Sequence, residues 1–121
     1  MSAWTVLLHE DVERWLLQLA ADEPETADLV AAAIDLLEAE GPALGRPIAD
    51  RIAGSRHHHM KELRPGSSGS SEVRILFAFD PLRQALLLVA GDKAGNWRGW
   101  YPTAIALADD RYDTHLTQLR Q

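Results

Sequence analysis

Two apolar runs joined by a turn constrain this chain more than any other feature. Val73-Arg74-Ile75-Leu76-Phe77-Ala78-Phe79 places Val73, Ile75, Phe77 and Phe79 on one face of an extended segment, the period-two pattern of a half-buried strand. Asp80-Pro81 starts a turn, and Gln84 through Ala90 returns as an almost wholly apolar strand, so the natural reading is a hairpin. A two-stranded hairpin is at best marginally stable in water. Other elements must cover its apolar face.

The first half of the chain supplies helices for that purpose. Trp4 to Leu8 is short, apolar and rich in strand-favouring residues, and predicts an opening strand. From Glu10 to Ala20, Val12, Trp15, Leu16 and Leu19 follow the spacing of one helical face. Asp22-Glu23-Pro24-Glu25 looks like a second helix start, with Asp22 as the cap and Pro24 in the first turn. That helix should run to about Glu40, where Gly41-Pro42 ends it. Residues 41–58 read as a connecting loop, His59 to Arg64 as a short strand, and Pro65 to Ser71 as a flexible turn without fold signal. A last helix is expected from Pro102 or Thr103, with Ile105, Ala108, Tyr112, Leu116 and Leu119 on one face. The order predicts a single α+β domain over residues 1–121. An N-terminal helical hairpin and a C-terminal helix would pack on one side of a small, mainly antiparallel sheet of about four strands.

Composition narrows the chemistry. The 121 residues include no cysteine, which excludes thiol catalysis, cysteine-ligated zinc and iron–sulfur centres and fits a reducing compartment. No apolar run approaches the ~20 residues that span a bilayer, and Met1-Ser2-Ala3-Trp4 lacks the basic start of a secretory signal, so a cytoplasmic protein without a membrane partner is expected. The formal net charge of −6 speaks at first against a polyanionic partner. Resolved along the chain it divides: residues 1–50 hold eleven Asp/Glu against Arg14 and Arg46, whereas residues 51–121 hold ten Lys/Arg against seven Asp/Glu.

The basic residues of the second half fall on the sheet. Lys61 and Arg64 lie on the first sheet strand after the helical hairpin, Arg74 near the start of the next, and Lys93 beyond the end of the third. Neighbouring strands are ~4.8 Å apart, so these four cations can converge on a phosphate-attracting patch. Arg74 would lie on the open face, opposite Val73, Ile75, Phe77 and Phe79. Strict alternation puts Lys61 and Arg64 on opposite faces, so both reach the patch only if the strand ends or bulges between them. The competing reading is a solvated sheet face with ion pairs to Glu62, Glu72 or Asp92. His57-His58-His59 lacks the partners of a tetrahedral metal site, so no metal is expected; the run is either a surface loop or an imidazole source at the patch edge. Trp97, Trp100 and Tyr101 either plug the space between sheet and last helix or stack on unpaired bases, with Trp97 nearest Lys93.

Met60-Lys61-Glu62-Leu63-Arg64, then Val73 to Asp80, then Ala85 to Gly91-Asp92-Lys93, then a Trp/Tyr-containing final helix, resembles the RelE/HigB toxin superfamily, and most closely its phage-associated HigB-like branch. The resemblance covers residues 55–115, and the preceding helical hairpin agrees with it. It implies the toxin of a type II toxin–antitoxin module. Such a toxin is a ribosome-dependent, metal-independent endoribonuclease that cuts mRNA in the ribosomal A site, by attack of a ribose 2′-OH on the adjacent phosphate. It needs no cofactor. Carried onto this chain, the resemblance makes Arg74 the stabiliser of the phosphorane, with Arg64, Lys61 and Lys93 beside it. Asp92-Lys93-Ala94-Gly95 stands where many relatives carry two adjacent lysines. No carboxylate base is obvious, and elimination leaves His59 or Lys61 as proton acceptor. Arg56, His57, Trp97 and Arg98 are the expected RNA contacts. The implied partner is a helix-turn-helix antitoxin, bound in a hetero-oligomer. A reading from a different class is a non-catalytic, toxin-like module that only pairs with such a partner.

Overall fold

A computed structural model describes residues 4–66 and 69–121; Ser67 and Ser68, within the expected flexible turn, lie outside the described residues, as does the side chain of Trp97. The chain runs through β1 (Thr5–Leu8), α1 (Glu10–Asp22), α2 (Pro24–Glu40), β2 (Ala49–Arg51), β3 (Lys61–Leu63), β4 (Val73–Phe79), β5 (Gln84–Asp92) and α3 (Trp97–Leu119). The sheet order is β1-β5-β4-β3-β2. Strands β2 to β5 form an antiparallel meander, and β1 joins it in parallel beside β5. The α+β class holds with five strands rather than about four. The fifth, β2, lies in the segment expected to be loop.

The helices do not share one side of the sheet. The α1–α2 hairpin buries Val12, Leu19, Val30, Ala33 and Leu37 against Leu63, Val73, Ile75, Phe77 and Leu87. On the opposite face α3 packs Ala104, Ile105, Ala108 and Tyr112 over Leu76, Ala78, Leu86 and Leu88. Both faces of β4 are therefore apolar, and Arg74 lies under a helix instead of on an open face. The register slips between Leu76 and Phe77, so that Leu76 faces Val89 while Phe77 faces Leu87. Leu88 and Val89 in consequence both join the α3 core.

Helix boundaries also differ from expectation. Asp22 is the last residue of α1, and Glu23 occupies the cap of α2, making no side-chain bond to the helix N–H groups. The Glu23 carboxylate instead accepts from Thr26 Oγ1 at 3.1 Å and from Ser71 Oγ at 3.0 Å, tying α2 to the approach to β4. His9 caps α1 by accepting the Asp11 N–H. Helix α3 begins at Trp97, five residues before Pro102. Its inner face is anchored by polar contacts: Tyr112 OH donates to Phe79 O at 2.6 Å, Arg111 to Leu88 O at 2.7 Å, and His115 pairs with Asp80 at 2.7 Å.

Candidate functional site

The side chains with most chemical potential gather on the α3 face, at the β3 side of the sheet. Glu62 is the middle residue of β3, paired with Leu76 of β4 and Asp50 of β2. Alternation turns it away from its neighbours Lys61 and Leu63 and toward α3, where it is only 3% exposed. A carboxylate that deep is costly unless compensated. Three groups do so. Tyr101 OH donates to Oε2 at 2.7 Å, Arg64 Nε donates to Oε1 at 2.7 Å, and Arg74 Nε lies 3.8 Å from the same Oε1. Arg64 is further held at 3.5 Å from Asp50.

Arg74 is the least satisfied member. One terminal nitrogen donates to the carbonyl of Val73 at 2.8 Å, while the buried Nε has no hydrogen-bond partner among the described residues. Its register partner is Gly91, where a Cβ would come within 2.5 Å of the Trp100 indole nitrogen. The glycine lets Trp100 close down on the sheet beside Arg74. Burial, reinforced by Glu62, pushes the Tyr101 phenol up to about 12, with Arg74 acting in the opposite direction. The Arg64 guanidinium is raised, chiefly by its bond to Glu62.

Tyr101 also lines a groove of about 520 Å³, together with Ala53, Gly54, Pro102, Ile105 and Ala106 and the charged residues Arg56 and Asp109. The site thus combines two arginines, a phenol and a carboxylate with an adjoining, mostly apolar depression. Where Arg56 and Asp109 line the groove, the loop before β3 is clasped to α3. Arg56 pairs with Asp110 and Asp113, its backbone N–H donates to Asp109 at 2.9 Å, and His57 Nε2 meets Asp113 at 2.7 Å. The buried Asp109 also accepts from Ser55 Oγ at 2.5 Å. The clasp holds the Asp113 carboxyl below its ordinary value, first through Arg56 and then through His57.

The four expected cations do not converge. Lys61 points to the α1–α2 face, its Nζ 5.7 Å from the centre of the Phe79 ring, so no bulge brings it round to Arg64. Lys93 is mostly buried and lies 3.8 Å from Glu72. Arg64 and Arg74 alone share the Glu62 site. The ion pairs expected on the sheet, to Glu62 and Glu72, are present. His59 is exposed and lies against His58, the ring centres 4.1 Å apart and the planes tilted by 47°, while Trp97 and Arg98 occupy the first turn of α3. Trp100 and Tyr101 plug the sheet–helix junction with their rings at right angles.

Sequence reasoning passed over Glu62 and the Tyr101 hydroxyl as functional groups. One signal was available: Glu62 and Arg64 stand two apart on a strand, hence on one face. The phenol comes from 39 positions downstream, and nothing local announces it.

A profile described as phage-derived protein Gp49-like matches residues 14–113. The chain is 57% identical over 115 residues to a Mycobacterium tuberculosis protein named as toxin HigB2, covering 95% of this chain and 55% of that protein. It is 54% identical over 111 residues to one named as toxin HigB3 of the same organism, covering 92% of each. The chain therefore spans about half the length of the first relative and nearly all of the second. No solved structure matches it.

Proposed function

This chain belongs to the phage-derived Gp49-like family, and from that membership and its two toxin-named relatives we infer that it is the toxin of a toxin–antitoxin pair. Its finer activity is read as ribosome-dependent cleavage of mRNA. In that reaction a ribose 2′-OH attacks the adjacent phosphate. The bond to the 5′ oxygen breaks, leaving a 2′,3′-cyclic phosphate and a 5′-OH. The pentacoordinate intermediate carries concentrated negative charge, and fixed donors aimed at it are worth most where water is excluded.

One observation carries the reading: two arginines, Arg64 and Arg74, gather on the buried Glu62 beside Tyr101, which lines an open groove. A phosphate is the anion that such a pair of guanidinium groups suits. Arg74 and Arg64 are the proposed phosphate clamp. The stabilisation comes from guanidinium groups, so the reaction calls for neither metal nor cofactor. Lys61, Lys93 and His59, with Trp97 and Arg98, are proposed contacts to flanking RNA or the ribosomal A site. Arg56 and His57 would join them by exchanging Asp110 and Asp113 for phosphate. A helix-turn-helix antitoxin is the proposed partner in the resting complex.

A second reading, a non-catalytic module that only binds its partner, is favoured by the same ion pairs, since Arg56, Arg64 and Lys93 are already matched by carboxylates. Induction without antitoxin separates the two. The catalytic reading expects growth arrest and cuts within translated messages on primer extension, with Arg74→Ala reducing cleavage about 10²-fold or more. Intact messages in the presence of abundant, folded protein would establish the binding module instead, and undiminished toxicity of the alanine variant would remove Arg74 from the chemistry.

A further inference from the structure

Resting on the endoribonuclease reading, we propose that Tyr101 and Glu62 form a two-step proton relay, in which the Tyr101 oxygen takes the proton of the attacking 2′-OH while its own proton passes to Glu62 Oε2. The electron pair left on the 2′ oxygen forms the new bond to phosphorus. The departing 5′ oxygen takes its proton from water. The proton on Glu62 returns through Tyr101 to the hydroxide so produced, so every atom and charge is accounted for.

The geometry assigns these roles. A proton acceptor for this reaction must be within hydrogen-bond reach of the ribose, directly or through one intermediary. Glu62 itself is nearly closed off from solvent, whereas Tyr101 meets both sides: its hydroxyl lies 2.7 Å from Glu62, and the residue lines the groove. Of the other ionisable groups that line the groove, Arg56 and Asp109 are held by the clasp between the β3 loop and α3, so for ribose entering with its phosphate on Arg74 the acceptor is Tyr101. The carboxylate has its other oxygen occupied by Arg64, so Oε2 is the one committed to Tyr101. The charged groups facing the pair are Arg64 and, behind it, Asp50 from β2, and Arg74 from β4. The elevated pKa of Tyr101 keeps the phenol neutral at rest, as a relay requires and a stored phenolate would not. By contrast Lys61 projects to the other face, over the Phe79 ring.

The test is single-turnover cutting of mRNA on programmed ribosomes by the purified full chain. Tyr101→Phe and Glu62→Gln should each slow cleavage about 10²-fold or more, with binding to the programmed ribosome changed less than about twofold. Two groups that act as one unit lose their effect only once, so the double variant should be no slower than either single. Spectroscopic titration of the phenols without RNA gives an independent readout, taken as the difference between each protein and its Tyr101→Phe counterpart. The Tyr101 transition should move from about 12 in the native chain toward the ordinary value of about 10 in Glu62→Gln. Native-rate cutting by either variant, losses that multiply in the double variant, or an unmoved transition would each overturn the relay. If Arg74→Ala stops cutting and these variants do not, the relay alone fails; if the native chain cuts no message, the endoribonuclease reading fails and takes the relay with it.

Discussion

At the scale of single residues, Gly41 shows how little freedom the α2 terminus leaves. Its φ of +55° is one that L side chains rarely adopt, and a Cβ there would run into the Trp4 indole, itself packed edge-on against Phe79 at 4.8 Å. Gly41→Ala is therefore expected to destabilise the fold by about 1–3 kcal/mol through overpacking. Urea unfolding followed by tryptophan fluorescence measures it; an unchanged midpoint would mean that Trp4 is not held there. Residue roles were only partly legible. Arg74 was recognisable because a cation amid seven strand residues demands a reason. Glu62 was not, because a glutamate between Lys61 and Leu63 looks like any solvated position until α3 is laid over it. Its burial is a tertiary fact, created by Tyr101 and the two arginines together.

Among the elements, the junction of β5 with α3 is the most exacting. Trp100 descends onto Gly91 directly opposite Arg74, so Gly91→Ala should push the start of α3 off the sheet. The expected cost is about 1–3 kcal/mol. Cleavage should fall with it, because Tyr101 follows Trp100 on the same turn; stability lost with cutting fully retained would show that Tyr101 needs no such placement. The elements that sequence revealed are those with a strong period. β4 and β5 alternate or are continuously apolar, α1 and α2 carry clear stripes, and the inner face of α3 is spaced for a helix. What escaped has a physical reason in each case. β2 is Ala-Asp-Arg, three residues with no apolar rhythm, and owes its existence to pairing with β3. Pro102 suggests a helix start, since proline is most at home in a first turn, yet α3 tolerates it as its sixth residue.

For the whole molecule, the two-faced sheet makes α3 as much a part of the core as the hairpin, and acid should reveal what fastens it. Burial alone would raise the Asp80 carboxyl, but bonds from His115, Gln84 and Leu82 outweigh it and hold the group below its ordinary value. A depressed carboxyl stabilises the fold fully above its unfolded value of about 3.9, and the contribution is lost as pH falls through the folded one. Melting temperature should thus drop below about pH 4. Asp80→Asn should lower stability at neutral pH by about 1–3 kcal/mol and flatten the acid decline; an equally steep decline in that variant would assign it to other carboxylates. The parallel seat of β1 beside β5 also imposes an order in time. Thr5 pairs with Gln84, and Asp11 with an arginine 100 positions away. At roughly 5–20 residues per second of synthesis, the α1–α2 hairpin emerges seconds before the strands it is to cover. During that interval Val12, Val30 and Leu37 have no sheet to meet, so the newborn chain carries an uncovered apolar stripe until β4 and β5 arrive.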